Sequence, residues 1–149
     1  MSRVARAARV ASRQRVETID AGSADASKSI TAAETGELYF IDATNDVVIT
    51  LPPVQDGAYF KFMISVLVGT SKSVVINANE ENVLMDGYLV QESAGGNIDA
   101  LSQSNASDND RITFGQAAKA GSFVECYSDG TKWMCYGRAT GGTLAFGDQ

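Results

Sequence analysis

Five arginines lie in the first sixteen residues, and no acidic residue accompanies them there. They are Arg3, Arg6, Arg9, Arg13 and Arg15. A guanidinium group forms paired, charge-assisted hydrogen bonds with a carboxylate, so several arginines along one segment can bind more than one acidic subunit. The rest of the 149-residue chain carries all 18 acidic residues, and the net charge is −6. We predict a basic arm, residues 1–16, that binds a partner, and an acidic one-domain body, residues 17–149.

Three other interpretations of the arm stay open. An arginine-rich, acid-free N-terminus that contains serine also has the composition of a mitochondrial transit peptide. A solvated tail without any partner is the simplest alternative. Five arginines also suffice for salt-sensitive phosphate binding, although the acidic body disfavours nonspecific contact with nucleic acid.

Catalytic chemistry finds little support in the residue types. The chain has no histidine, which excludes Ser-His-Asp and Cys-His catalysis and histidine-dependent metal sites. Two acidic pairs, Glu80 with Glu81 and Asp108 with Asp110, are expected to be solvated loop charges. Calcium could take oxygen atoms from Asp108, Asn109 and Asp110, but the twelve-residue calcium loop is missing. We therefore predict no enzyme, no catalytic residue, no cofactor and no metal site.

The body is rich in short runs of β-forming residues separated by Gly, Asp, Asn and Pro. This pattern predicts an all-β fold of eight to ten strands, arranged as a β-sandwich or a jelly roll. Residues 92–110 are polar and are predicted to be a long surface loop. Strands are predicted at 36–41, 47–51, 58–68, 72–78 and 87–91. Alternation in the third run assigns four residues to the core: Phe60, Phe62, Ile64 and Val66.

The sharpest local prediction is a β-hairpin with Asp129-Gly130 at its turn. A two-residue turn gives one apolar face, on which Cys126 lies opposite Trp133 and Val124 lies opposite Cys135. A turn that also included Ser128 would exchange the faces, and hydrophobicity favours the first arrangement. The two cysteines are expected to be buried free thiols, since nothing indicates secretion and two thiols without histidine make a poor zinc site.

Apolar runs such as residues 62–68 are far shorter than the roughly 20 residues that span a bilayer. No hydrophobic segment follows the N-terminal arginines to form a secretory signal. We therefore expect no membrane association and a soluble protein in the cytoplasm of the producing cell.

A set of short motifs between residues 29 and 137 resembles the small β-domains of tailed-bacteriophage virion proteins. The motifs are Ser29-Ile30-Thr31, Gly36-Glu37-Leu38-Tyr39-Phe40, Val48-Ile49-Thr50-Leu51-Pro52, Gly57-Ala58-Tyr59-Phe60-Lys61-Phe62 and Ser128-Asp129-Gly130-Thr131-Lys132-Trp133. Among these proteins are capsid decoration, or cement, proteins. The resemblance implies a homotrimer on the capsid exterior, assembled in the host cytoplasm, whose arm ties major capsid protein subunits together. The arginines of the arm, from Arg3 to Arg15, would carry that contact.

Two further functions fit the same sequence. A tail-fibre or tail-adaptor module would dock through the arm and contact a host receptor through the loop at 92–110. A carbohydrate-binding module would stack sugar rings on Trp133 or on exposed Tyr59, Tyr88 and Tyr136. Packing in the core or across strands is the alternative for these aromatic side chains.

Overall fold

The computed structural model describes residues 14–93, 95–103 and 108–149, without the Gln103 side chain. These residues form twelve strands. The strands are β1 (Val16–Asp20), β2 (Ala26–Ser29), β3 (Leu38–Asp42), β4 (Val47–Thr50), β5 (Tyr59–Val66), β6 (Val74–Asn77), β7 (Met85–Glu92), β8 (Ile98–Gln103), β9 (Arg111–Phe114), β10 (Phe123–Ser128), β11 (Trp133–Thr140) and β12 (Leu144–Gly147). The one helical element in these ranges is a 3-10 turn, Ala32–Glu34. The predicted all-β fold is confirmed.

The strands form two mixed sheets. The large sheet has the order β1-β3-β5-β10-β11-β7-β8, and the small sheet has the order β12-β9-β6-β4-β2. Strands β1 to β6 alternate between the sheets, so β1, β3 and β5 run parallel in one and β2, β4 and β6 run parallel in the other. A parallel pair needs a crossover connection, which here is a strand of the opposite sheet. The sandwich prediction is confirmed, with parallel pairs that an antiparallel jelly roll lacks.

A single hydrophobic core lies between the two sheets. Phe60, Phe62 and Ile64 of β5 point into it as predicted. Val66 does not: its side chain is 42% exposed, which corrects the sequence prediction. The register between β3 and β5 shifts after Ile41, so that one extra residue enters β5. An extra residue reverses the alternation of faces, and Val66 therefore points outward.

The predicted hairpin exists, but its register differs by two residues. Cys126 lies directly opposite Cys135, and Ser128 lies opposite Trp133. The connection has four residues because the Asp129 carboxylate accepts the N–H groups of Thr131 and Lys132 and closes a wider turn. A slip of two residues keeps every side chain on its predicted face, so the apolar set remains buried.

Both cysteines are free and buried, as predicted. Their sulfur atoms lie 3.6 Å apart. Burial raises the pKa of the Cys135 thiol, and the nearby Cys126 thiol adds to this effect. The Cys135 thiol is therefore a protonated, apolar core group at neutral pH.

The long loop predicted for residues 92–110 is wrong in part. Strand β7 extends to Glu92, and residues 98–103 form β8, which pairs with β7 in antiparallel register. Strand β8 is the edge of the large sheet. An edge strand exposes much of its surface, so its polar composition is compatible with a strand although it reads as a loop.

Gly87 allows β7 and β11 to lie side by side, and replacing it tests that packing. It pairs with Cys135 at φ +133°, and a Cβ atom would lie 2.0 Å from the Cys135 carbonyl oxygen. We expect Gly87→Ala to lower the free energy of unfolding by at least about 2 kcal/mol, because the clash adds to backbone strain. Denaturant titration followed by the fluorescence of buried Trp133 measures this change.

Gly95→Ala is the matched control. Its Cβ would have only the Ser93 hydroxyl nearby, at 3.8 Å, so the expected change is below about 0.5 kcal/mol. Equal stability of the Gly87 variant and the wild type would contradict the close approach of β7 and β11.

Candidate interaction site

The chain enters the body at Arg15, the one member of the predicted capsid-binding set that the structure describes. Arg3, Arg6, Arg9 and Arg13 lie outside the described residues. The carbonyl oxygen of Arg15 accepts the N–H of Leu38 at 2.9 Å, which joins the start of β1 to β3. Its guanidinium Nη1 lies 3.4 Å from Glu37 Oε1, and the side chain stays 74% exposed. The base of the arm is thus at the edge of the large sheet, next to a carboxylate of the body.

A cluster of oppositely charged side chains connects this edge to β2 and to the 3-10 turn. Carboxylate oxygens of Glu17, Glu34 and Glu37 all lie within 4.8 Å of one another, a spacing that could hold a metal ion. The Lys28 ammonium, however, already lies 2.7 Å from Glu34 and 2.9 Å from Glu17. The lysine therefore offsets part of the negative charge of Glu17 and Glu34 and links β1, β2 and the 3-10 turn.

The Glu34 carboxyl group of this cluster has a strongly lowered pKa. Burial raises its pKa, but hydrogen bonds from Lys28 and Thr31 outweigh burial and lower the pKa to about 2. The Thr31 N–H donates to Glu34 Oε2 at 2.6 Å, as in a helix capping box. The charged form of Glu34 is therefore part of the folded structure.

The outer side of the large sheet carries four tyrosines on four adjacent strands, β5, β10, β11 and β7. We call this surface the tyrosine face: Tyr59, Tyr127, Tyr136 and Tyr88. Pairing places Tyr59 beside Tyr127 and Tyr136 beside Tyr88. The Tyr59 and Tyr127 rings stack with centroids 4.7 Å apart, and the Tyr136 ring meets Tyr127 edge-on at 6.4 Å. Tyr127 and Tyr136 are 41% and 47% exposed, which makes the centre of the face aromatic and accessible.

Apolar residues continue this surface to both edges of the sheet. Val16 on β1 is 57% exposed, and Leu101 on β8 is 52% exposed. Between them, Phe40, Met63 and Phe123 occupy adjacent outward positions on β3, β5 and β10. Single exposed apolar residues are ordinary, whereas a contiguous patch of them on a soluble protein indicates an interaction surface.

Charged side chains that face outward on the four strands of the tyrosine face, β5, β10, β11 and β7, are paired within the molecule. Lys61 Nζ lies 2.8 Å from Glu125 Oε1, and Lys132 Nζ lies 2.8 Å from Asp86 Oδ2. The third pair joins Arg138 and Glu92.

A raised pKa keeps two of the phenol groups neutral, those of Tyr59 and Tyr127. Burial and a hydrogen bond to Glu125 raise the pKa of Tyr127 to about 12. The tyrosine face is therefore electrically neutral although the chain is acidic.

The four aromatic side chains proposed for sugar stacking fall into two groups. Trp133 is fully buried against Phe60 and is excluded as an exposed platform. Tyr59, Tyr88 and Tyr136 do face outward, as the sugar interpretation requires. The Tyr59 ring, however, is turned against Tyr127 rather than laid flat on the sheet, so its stacking surface is partly used. Tyr127 was missed because its role depends on strands far apart in the chain.

The acidic residues assigned to loops divide in the same way. Glu80 and Glu81 are exposed, as predicted. Asp110 is fully buried, and its carboxylate accepts the N–H groups of Asn82 and Gln149. It is therefore a structural acceptor that closes the end of the sandwich, and the prediction of a solvated charge is wrong for this residue.

No protein-family model matches this chain, and no curated protein sequence matches it at a significant level. Within the part of the chain that the structure describes, no helix has the length and apolar character required to cross a membrane.

The Glu34 cluster leads to a prediction of pH-dependent stability. A carboxyl group whose pKa is lowered by folding stabilises the protein above its unfolded pKa of 4.5, and this contribution disappears as the pH falls towards about 2. Glu34→Gln keeps an acceptor for Thr31 but loses the ion pair with Lys28. We expect this variant to lose about 1–2 kcal/mol at pH 7 and to show a flatter stability decrease between pH 5 and pH 2.

Urea unfolding at a series of pH values measures both effects. Glu81→Gln, which changes an exposed loop carboxylate, is the matched control and should stay within about 0.5 kcal/mol of the wild type. An unchanged acid slope in the Glu34 variant would show that the cluster does not depend on this charge.

Proposed function

We propose that this chain is a capsid decoration, or cement, protein of a tailed bacteriophage, which binds the major capsid protein through its basic arm on the outside of the shell. The observation that carries this proposal is the segregation of charge. Arg15 is the last of the five N-terminal arginines, and all acidic residues follow it in the sequence. A protein with this layout holds its acidic body away from an acidic surface while the arm binds that surface.

The attachment of Arg15 is compatible with such an arm. The hydrogen bond between Arg15 and Leu38 lies at an edge of the large sheet, and residues 1–13 precede it in the sequence. A thirteen-residue segment spans at most about 43–47 Å when fully extended. That reach is enough to contact more than one neighbouring shell subunit. In this proposal Arg3, Arg6, Arg9 and Arg13 bind the shell, while Arg15 also pairs with Glu37 of its own body.

The body and a trimeric assembly have complementary roles in the proposal. Each exposed arginine–carboxylate pair contributes only about 0.2–1 kcal/mol. A homotrimer would present three arms to the same shell region and so raise the effective affinity without new contacts. The chain would assemble in the host cytoplasm and remain on the capsid exterior, where contact with nucleic acid is not part of its role.

Deletion of residues 2–13 tests the arm directly. This variant keeps the Arg15–Glu37 and Arg15–Leu38 contacts, so its free energy of unfolding should stay within about 0.5 kcal/mol of the wild type. Its binding to purified capsids that lack this protein should disappear in a sedimentation assay.

The arginines themselves are tested by changing all four of Arg3, Arg6, Arg9 and Arg13 to glutamine. We expect binding to the shell to weaken by about 1–4 kcal/mol, a loss of roughly five-fold to nearly a thousand-fold, because four exposed ion pairs are removed. The matched control changes the same arginines to lysine, which keeps the charge but loses the paired hydrogen bonds. Its affinity for the shell should lie between those of the wild type and the glutamine variant. Full binding by the deletion variant would overturn the proposal.

The number of copies per particle separates decoration from the tail-fibre or tail-adaptor alternative. Decoration of the whole shell requires a ratio near one chain for each major capsid protein, measured by quantitative mass spectrometry of purified particles. A ratio of a few per cent would assign the chain to the tail, and its absence from particles would exclude both virion functions.

A further inference from the structure

We infer that the tyrosine face binds a second copy of this chain. This inference stands apart from shell binding, which the arm carries, because it concerns a surface on the opposite side of the large sheet from the core. Four tyrosines and their apolar neighbours cover adjacent strands, β5, β10, β11 and β7, whose other side packs on the core.

Charge identifies the kind of partner that fits. On the four central strands, β5, β10, β11 and β7, the outward charges are closed into the pairs described above. A strongly basic or acidic partner would gain little from them and would have to break them to form new pairs. The partner surface must therefore be neutral and apolar at its centre. The tyrosine face itself has these properties and is self-complementary in charge.

The acidity of the whole chain adds a second argument. Each copy has a net charge of −6, so two copies repel each other over most of their surfaces. A neutral patch is the region where they can approach at the lowest electrostatic cost. The same repulsion disfavours random association through other surfaces, which makes the contact specific.

The size and residue types of the face suit a stable contact. The four strands of the tyrosine face, at about 4.8 Å spacing and roughly 20 Å in length, cover about 400 Å², and the apolar positions on β1, β3 and β8 extend this surface to about 700 Å². A stable interface typically buries about 800 Å² per partner. Tyrosine is enriched among the residues that dominate binding energy, especially near the centre of an interface. Tyr127 and Tyr136 occupy that central position between Val16 and Leu101.

Association through this face would place the start of each arm beside the shared interface. Val16 lies on the outer side of the sheet at its edge strand, directly after Arg15. The arms of associated copies would therefore leave from the rim of the shared interface. This arrangement provides the physical basis for several arms acting on one partner surface.

The experiment measures the mass of the purified full-length chain by sedimentation equilibrium over a concentration series. We expect the wild type to contain two or more chains per particle at micromolar concentration. Tyr136→Glu places an unpaired charge at the centre of the face and should raise the dissociation constant at least about 30-fold, corresponding to a central contact residue. Leu101→Glu, on the edge strand β8, is a second variant that should weaken association without disturbing the central strands.

Val48→Glu is the matched control. Val48 is 40% exposed on β4 and lies in the small sheet, away from the tyrosine face. It should leave the mass unchanged, and the fluorescence of Trp133 in every variant verifies that the fold is intact. A dimer would indicate that face meets face, and a trimer would indicate that each face meets the edge of a neighbour; either supports the inference.

Two results would overturn it. The first is a monomeric wild type at concentrations up to about 100 μM. The second is an oligomer that Tyr136→Glu and Leu101→Glu leave unchanged. Because the mass is measured without capsids, failure of the decoration proposal would leave this test unaffected.

Discussion

The interior between the two sheets is the constraint on which the rest of this structure depends. The strands of the large sheet other than the edge strand β8 each give one side to that core, because a buried apolar layer is the main source of stability in a sandwich. The core also fixes which residues lie on the outer side, because successive residues of a strand point to opposite sides. In β5, the inward set of Phe60 and Phe62 forces Tyr59 and Lys61 outward, and the same rule in β10 and β11 exposes Tyr127 and Tyr136. The tyrosine face is thus the reverse side of a well-packed core.

The way the chain winds explains how Arg15, just before β1, contacts the body. Strands β1 to β6 alternate between the sheets, which leaves β1 at the edge of the large sheet and β2 at the edge of the small one. Edge strands have fewer neighbours and need additional contacts. The Lys28 ion pairs with Glu17 and Glu34 join the two edges, and Arg15 adds its bonds to Leu38 and Glu37.

Charge in this protein is divided along the chain and again across the surface. The first division separates the arginines of the arm from the acids of the body. The second appears only in the folded state, where ion pairs such as Lys61 with Glu125 neutralise the centre of the large sheet. Under the proposed function, the two divisions have separate uses: the arm attracts an acidic partner, and the neutral face admits another copy of an acidic chain.

The sequence by itself determined the all-β class, the inward residues of β5 and the burial of both cysteines and Trp133, because the two-residue period of a strand is a local property. It did not determine pairing. The extra residue in β5 turned Val66 outward, and the Asp129 side chain widened the hairpin turn. The polar sequence of β8 indicates a loop when it is considered alone, and its pairing with β7 identifies it as a strand.

Only the tertiary structure assembled the tyrosine face, whose members come from strands distant in sequence. It also buried Asp110 under Asn82 and Gln149. Such contacts depend on which strands become neighbours, and that choice depends on packing of the whole core rather than on any local run of residues.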